Sequence, residues 1–280
     1  MKWTSNRSEN VEDRRGLGRK GLAFGGIGSV ILAAIVYFMG GDPSFLLNNA
    51  GESSGTEQRE LSQQEKTVGE FVNMVAAENE ITWSQIFAEN NMQYQKPRVV
   101  LFEEATESGC GVARAAVGPF YCPQDQTVYM DLQFFNELRQ RFGAQGGDFA
   151  IAYVIGHEIG HHVQTMLGTT DKVNQMRESG KYSEEDMNRV SVAVELQADF
   201  FAGVWARKMQ DKNVLEAGDI EEAISAAQAV GDDRIQEATQ GYAVQESFTH
   251  GTSEQRKAWF LKGYSTGDVN QGNTFEQLLR

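Results

Sequence analysis

The alternation of apolar and polar positions divides the chain into an uncharged run, a polar stretch and a long amphipathic body. Gly21 to Gly41 carries no charge and is dominated by Leu22, Phe24, Ile27, Val30, Ile31, Leu32, Ile35, Val36 and Phe38. These 21 residues, at about 1.5 Å each, would span about 31 Å as a helix, the thickness of a hydrocarbon core. The pattern therefore predicts a transmembrane helix over 21–41. A cleaved signal peptide is the main rival, although the run is longer than a usual signal core and no clean small-x-small site follows it. A core helix is the weakest alternative, because the run is apolar on every face. Residues 42–65 are rich in Gly, Ser, Asn, Gln and Glu and read as a flexible linker. From about Thr67 the period becomes helical, with Val68, Phe71, Val72, Val75, Trp83, Ile86 and Phe87 at three- and four-residue intervals.

Arg98 to Phe102 and Thr127 to Leu132 read as strands. Phe134, Phe135, Leu138 and Phe142 mark one face of a helix that ends at Gly143. A helix from about Phe149 to Met166 follows the Gly146-Gly147-Asp148 loop, with Asp148 placed to cap it. Thr169 to Glu185 is a polar surface connection with room for a short helix. Further helices run from about Ser183 to Met209, over Leu215 to Val230 and around Trp259, Phe260 and Leu261. The fold class expected is α+β and mostly α-helical, with a small sheet of about three strands, preceded by one transmembrane helix. Its divisions are a basic segment over 1–20, the span over 21–41, a linker over 42–65 and one domain over 66–280.

Charge sharpens this picture. The chain carries −14 at neutral pH, yet residues 1–20 carry +3 and the remainder −17. A body so acidic argues against a nucleic-acid partner, which needs a basic face. Arg14, Arg15, Arg19 and Lys20 precede the uncharged run and Asp42 follows it. The positive-inside rule then puts residues 1–20 in the cytoplasm and the main domain outside. Cys110 and Cys122 are the only cysteines. Outside the cytoplasm they suit a disulfide; two free thiols or a metal pair are the alternatives.

The candidate chemistry lies at Tyr153-Val154-Ile155-Gly156-His157-Glu158-Ile159-Gly160-His161-His162. His157 and His161 are four residues apart, so a helix sets both imidazoles on one face, where they can converge on one zinc ion. Glu158 is then placed to handle a proton of zinc-activated water. A third ligand is required, and a metzincin-type His is excluded because Gln164 and Leu167 stand where Gly and His are needed. Glu195 and Asp199 share one face of a later helix with strongly apolar flanks. Glu195 can ligate the ion, and Asp199 can accept a hydrogen bond from the outer N–H of a ligating His; a solvated helix face is the bland alternative. His162 lies about 100° around the helix from His161, so it belongs behind the ligands or to the scaffold. No G-x-S-x-G occurs, which argues against a serine nucleophile.

H-E-x-x-H followed by E-x-x-x-D resembles the gluzincin pattern, and the chain is similar to the bacterial neutral zinc metallopeptidase family of membrane-anchored proteins. The resemblance rests on Asn10 to Gly16, Val117 to Pro123, Gly146 to Ala150 and the two zinc segments, and spans nearly the whole chain. It implies a zincin-like domain with His157, His161 and Glu195 as zinc ligands, Glu158 as general base and Asp199 behind them. It also implies a single-pass protein of the bacterial inner membrane, N-terminus inside, acting on a peptide or protein substrate. Gluzincins run substrate along a strand before the zinc helix, which would make Thr127 to Leu132 that edge; an ordinary sheet strand is the alternative. Related families carry a late His-then-Arg segment near the zinc. His250 and Arg256 match it, with Gly251 where Pro is commoner, and His250 could stabilise an oxyanion or be a capping or surface His. The expected function is a membrane-anchored, extracytoplasmic zinc peptidase. The alternative is a zinc-binding envelope protein with a chaperone-like or binding role and little turnover. Oligomeric state is left open.

Overall fold

A four-stranded sheet carries the helices. The computed structural model describes residues 1–16, 59–115, 118–135, 139–140, 143–144 and 146–278. Its strands are β1 (Val11–Asp13), β2 (Arg98–Phe102), β3 (Ala105–Ser108), β4 (Gly111–Arg114), β5 (Phe120–Cys122) and β6 (Thr127–Asp131). The main sheet has the order β1-β2-β6-β5, with β1 and β6 parallel to β2 and β5 antiparallel to β6. β3 and β4 form a separate antiparallel hairpin. The small sheet expected from the sequence is present, larger by one strand.

Side-chain alternation explains the burial of the central strands on both faces. Val99, Leu101, Val128 and Met130 face the helices as part of the main core. Val100, Phe102 and Tyr129 point the other way and pack with Ala113 of the hairpin and Cys122. Cys110 in the hairpin turn is bonded to Cys122 in β5. This is the pairing expected from the sequence, and it ties the hairpin to the sheet edge.

The helices are α1 (Gln63–Glu89), α2 (Asp148–Met166), α3 (Thr169–Glu178), α4 (Glu184–Asp211), α5 (Asp219–Ala229), α6 (Asp232–Gln240), α7 (Ser253–Thr266) and the short α8 (Phe275–Leu278). Capping boxes start three of them: Ser62 with Glu65, Ser183 with Asp186, and Thr252 with Gln255. The expected Asp148 cap is not formed. Gly147, at φ 124°, is the N-cap of α2 and has no side chain to offer. Glu222 of α5 instead accepts the Phe149 N–H at 3.0 Å, so a tertiary neighbour satisfies the helix end. The helix expected over Phe134, Phe135, Leu138 and Phe142 falls partly outside the described residues.

Close backbone approach sets the spacing of the site helices. A Cβ on Gly160 of α2 would lie 2.9 Å from the Ala198 carbonyl oxygen of α4. Where α4 crosses α7, a Cβ on Gly203 or Gly263 would meet the opposite backbone at 2.1 or 2.0 Å. Larger residues would push apart the three helices that supply the candidate ligands and their supports.

The structure corrects the expected transmembrane helix and the expected membrane placement. Residues 1–16 belong to the domain. β1 pairs with β2 in the register Val11↔Val99, and the Met1 ammonium lies 3.1 Å from Asp219 at the start of α5. Of the basic residues read as a positive-inside signal, Arg14 and Arg15 have acidic partners here, Glu12 at 2.7 Å and Asp13 at 2.6 Å, while Arg19 and Lys20 lie outside the described residues; Arg7 pairs with Glu70 at 3.1 Å. The Arg59 N–H donates to the Gly16 carbonyl at 3.0 Å. A chain crossing a bilayer once between these residues would leave them about 30 Å apart on opposite sides; here they share a hydrogen bond. The predicted span 21–41 and most of the linker lie outside the described residues. Among the described residues no helix is long and apolar enough to cross a membrane.

Candidate metal centre

α2 and α4 bring His157, His161 and Glu195 together. The Nε2 atoms of His157 and His161 lie 3.2 and 3.4 Å from the two Glu195 carboxylate oxygens. One donor atom from each residue falls within 4.8 Å of the others. Ligands at about 2.0–2.1 Å from a tetrahedral zinc are separated by about 3.3 Å, so the spacing and chemistry of this donor set fit zinc. Borderline imidazole nitrogen with a carboxylate is also a donor set zinc takes readily.

Both imidazoles are oriented from behind. The His157 Nδ1 lies 2.8 Å from Asp199 Oδ1, in the supporting role expected of that residue. Asp199 is fully buried and holds a small network. Its Oδ1 also accepts the Tyr153 hydroxyl at 2.5 Å and Arg256 Nη2 at 3.0 Å, while its Oδ2 accepts Arg256 Nε at 2.8 Å. A buried carboxylate needs such partners. His161 has a neutral support: its Nδ1 lies 2.9 Å from Gln164 Oε1.

The electrostatics favour a cation at the two Nε2 atoms. Burial raises the Asp199 pKa, but the Arg256 charge and His157 more than reverse this and hold it at about 2. Burial likewise opposes ionisation of Glu195, and the facing imidazoles nevertheless hold it well below the usual carboxylate range. With only protein groups facing His157, burial works against its charge, yet Asp199 and Glu195 prevail and push its pKa up to about 10. Positive charge is thus stabilised where the Nε2 atoms meet Glu195, and a divalent cation would displace protons there.

Glu158 is buried beside His157 and lines the same cleft. Among the described residues its carboxylate makes no hydrogen bond or ion pair. The cleft has a volume of about 640 Å³ and is walled by Phe120 and Tyr121 on one side and by Val173 and Arg177 of α3 on another. Thr127 to Leu132 is not its edge. β6 lies between β2 and β5 with every residue buried, so its backbone is already paired. β5, the outermost strand of the sheet, borders the cleft instead.

His250 also lines the cleft. Its Nδ1 is 3.0 Å from Asp232 Oδ1, and Asp232 Oδ2 accepts the N–H groups of Thr249, His250 and Gly251 at 2.7, 2.6 and 3.0 Å. This carboxylate shapes the loop and leaves the His250 Nε2 for the cleft. Burial lowers the His250 pKa, but the hydrogen bond it donates to Asp232 and the charge of Glu195 raise it overall. Gly251 adopts φ 86°, a backbone conformation closed to proline.

Arg256 lines the cleft and is bonded to Asp199 and Tyr153, with its Nη2 3.3 Å from His157 Nδ1, so it holds the Asp199–His157 pair in place. His162 supports neither ligand. Its Nε2 lies 2.6 Å from the Gln95 carbonyl and its Nδ1 2.9 Å from the Tyr121 hydroxyl. The carbonyl can only accept, so Nε2 carries the proton and Tyr121 donates to Nδ1. Burial lowers its pKa, consistent with a neutral strut between α2 and β5. Sequence reasoning missed Tyr153, Gln164 and Asp232. Tyr153 and Gln164 lie four before His157 and three after His161, on the ligand face of the helix, which was a usable signal. Asp232 stands 18 residues from His250 and gave none.

Comparison with known proteins agrees with this geometry. The family described as "Putative neutral zinc metallopeptidase" matches residues 1–275. A curated Escherichia coli K12 protein, "Uncharacterized protein YpfJ", is 44% identical over 286 aligned positions, covering 98% of this chain and 99% of that protein. "Uncharacterized protein Rv2575" of Mycobacterium tuberculosis is 45% identical over 192 positions, covering 65% of this chain and 63% of that protein. No solved structure matches the chain. The chain belongs to the neutral zinc metallopeptidase family.

Proposed function

We propose that this chain is a zinc-dependent peptidase whose site is His157, His161, Glu195 and Glu158. The observation that supports this best is the pairing of a three-donor cluster, its ligand atoms within 4.8 Å of one another, with a carboxylate, Glu158, that has no structural partner among the described residues and lines the same cleft. A site for storing metal has no need of such a base.

When bound by the three donors, zinc supplies a Lewis acid that acidifies water and polarises a carbonyl. Glu158 takes the proton of the attacking water and returns it to the leaving amine. His250, oriented by Asp232, donates from Nε2 to the developing oxyanion. Asp199, held by Arg256 and Tyr153, keeps the His157 Nδ1 proton in place and the Nε2 lone pair turned to the site. An extended peptide lies along β5, where Phe120 and Tyr121 offer apolar surface and the strand edge offers backbone groups.

The test uses the full chain. Metal content is measured, and cleavage of an unfolded protein is compared between wild type and Glu158→Gln. Zinc at one per chain in both, with cleavage in wild type only, is expected. Zinc without cleavage by wild type would end the hydrolase reading, and absence of zinc would end the site assignment.

A further inference from the structure

Each ligand histidine must present the Nε2 lone pair to a metal, so each needs its proton on Nδ1. For His157 a charged carboxylate enforces this. For His161 the structure uses neutral groups, and their order is informative. The His161 Nδ1 lies 2.9 Å from Gln164 Oε1. Gln164 Nε2 donates to the Val194 carbonyl at 2.7 Å and to Gln197 Oε1 at 3.2 Å. Gln197 Nε2 donates in turn to the Gly272 carbonyl at 2.8 Å. Both amides are buried.

A carbonyl oxygen only accepts, so the chain has a single consistent direction. Gly272 C=O fixes the Gln197 amide with its nitrogen towards the tail, which leaves Oε1 towards Gln164. That oxygen, with Val194 C=O, fixes the Gln164 nitrogen towards α4 and leaves its Oε1 for His161. Facing an acceptor, His161 must carry its proton on Nδ1. Reversing either amide would set two acceptors together in a buried place, at a cost of about 1–3 kcal/mol. The C-terminal segment is itself anchored beside the site, because the buried Thr274 hydroxyl donates to the Ala193 carbonyl at 2.6 Å.

We propose that Gln164 is the positioning residue of His161, and that it acts through a directed relay, His161–Gln164–Gln197–Gly272, by which the C-terminal segment sets the metal-binding tautomer. The proposal deepens the zinc reading above and rests on it only for its metal readout. The relay also explains why two helices that each supply ligands are tied by paired amides rather than by apolar contact alone. A neutral support leaves the site less negative than a second carboxylate would, so His161 is held in direction without added charge.

Two measurements on the full chain decide it. Zinc affinity is obtained by competition with a chromophoric chelator. The His161 Nδ1 proton is followed by proton–nitrogen correlation spectra without added metal. Gln164→Leu should weaken zinc about ten- to hundredfold and abolish the protected Nδ1 proton. Gln164→Glu keeps an acceptor for His161 and should retain the Nδ1 proton, but its second oxygen meets the Val194 carbonyl and Gln197 Oε1, so thermal stability should fall. Gln197→Leu should give a smaller loss of affinity than Gln164→Leu. Thr274→Val cuts the tail's other bond to α4 and should lower thermal stability, with a loss of affinity no larger than that of Gln197→Leu. An unaltered Nδ1 proton and affinity in Gln164→Leu would overturn the relay. So would a loss in Thr274→Val as large as in Gln164→Leu, since general loosening would then suffice. A wild type that binds no zinc would overturn the metal reading, and the Nδ1 proton would still decide the relay.

Discussion

Asp199 holds a buried hydrogen-bond network at the candidate site. It joins Tyr153, His157 and Arg256 without exposure to water, so its loss leaves a buried guanidinium unpaired. Asp199→Asn should cost about 3–5 kcal/mol, read as a lower midpoint in denaturant, with zinc affinity down about tenfold or more. The pH dependence has a definite sign. The Asp199 pKa is depressed from 3.8 to about 2 in the folded protein. Its contribution is therefore complete above pH about 4 and lost as pH falls towards 2, about 2 kcal/mol in all. Acid unfolding should be steeper in wild type than in Asp199→Asn between those limits. At His250, Asp232→Asn should lower kcat with little effect on zinc content, because it disturbs the proposed oxyanion donor and not the proposed ligands; unchanged kcat would remove His250 from the chemistry.

At the scale of elements, the site depends on how near α2 and α4 approach. A side chain at Gly160 meets the Ala198 backbone, which has no rotamer to yield. Gly160→Val should cost about 1–3 kcal/mol by overpacking. It should also abolish zinc binding while far-ultraviolet circular dichroism stays helical, since the helices survive and only their separation changes. β5 is anchored twice, by the Cys110–Cys122 bond and by Tyr121 on His162. Replacing both cysteines by Ser opens a loop of 12 residues' separation and should lower stability by up to about 3 kcal/mol. On the proposed function, in which β5 would meet substrate and not the metal, KM should rise more than kcat falls.

At the scale of the whole molecule, residues 1–16 and the helical body form one folded unit. β1 covers an edge of β2, and residues 4–10 bond to Glu78 and Glu80 of α1 at 2.5–2.9 Å. Deleting residues 1–16 should therefore abolish cooperative unfolding of the remainder, a result visible in a thermal melt. The same packing predicts a shared compartment. Single cysteines at Arg7 and at Glu185, both on the surface, should react together or not at all with an impermeant reagent on intact cells. Reaction of one alone would contradict the joined fold.

The chain by itself determined whatever depends on near neighbours. Four-residue spacing decided that His157 with His161, and Glu195 with Asp199, would share helix faces, because helical geometry is local. Periodicity located α1, α2, α4 and two inner strands for the same reason. Only the tertiary structure decided which residues meet across distance. The Glu70 partner of Arg7, the outer position of β5, the Glu222 cap on α2 and the Asp232 support of His250 all join segments whose separation no local pattern encodes. The misjudged N-terminus has the same cause. A basic cluster before an apolar run carries one charge pattern whether it faces lipid or a set of carboxylates. The pairing of β1 with β2 and the closure of Gly16 on Arg59 distinguish the two, and both are contacts of the folded chain.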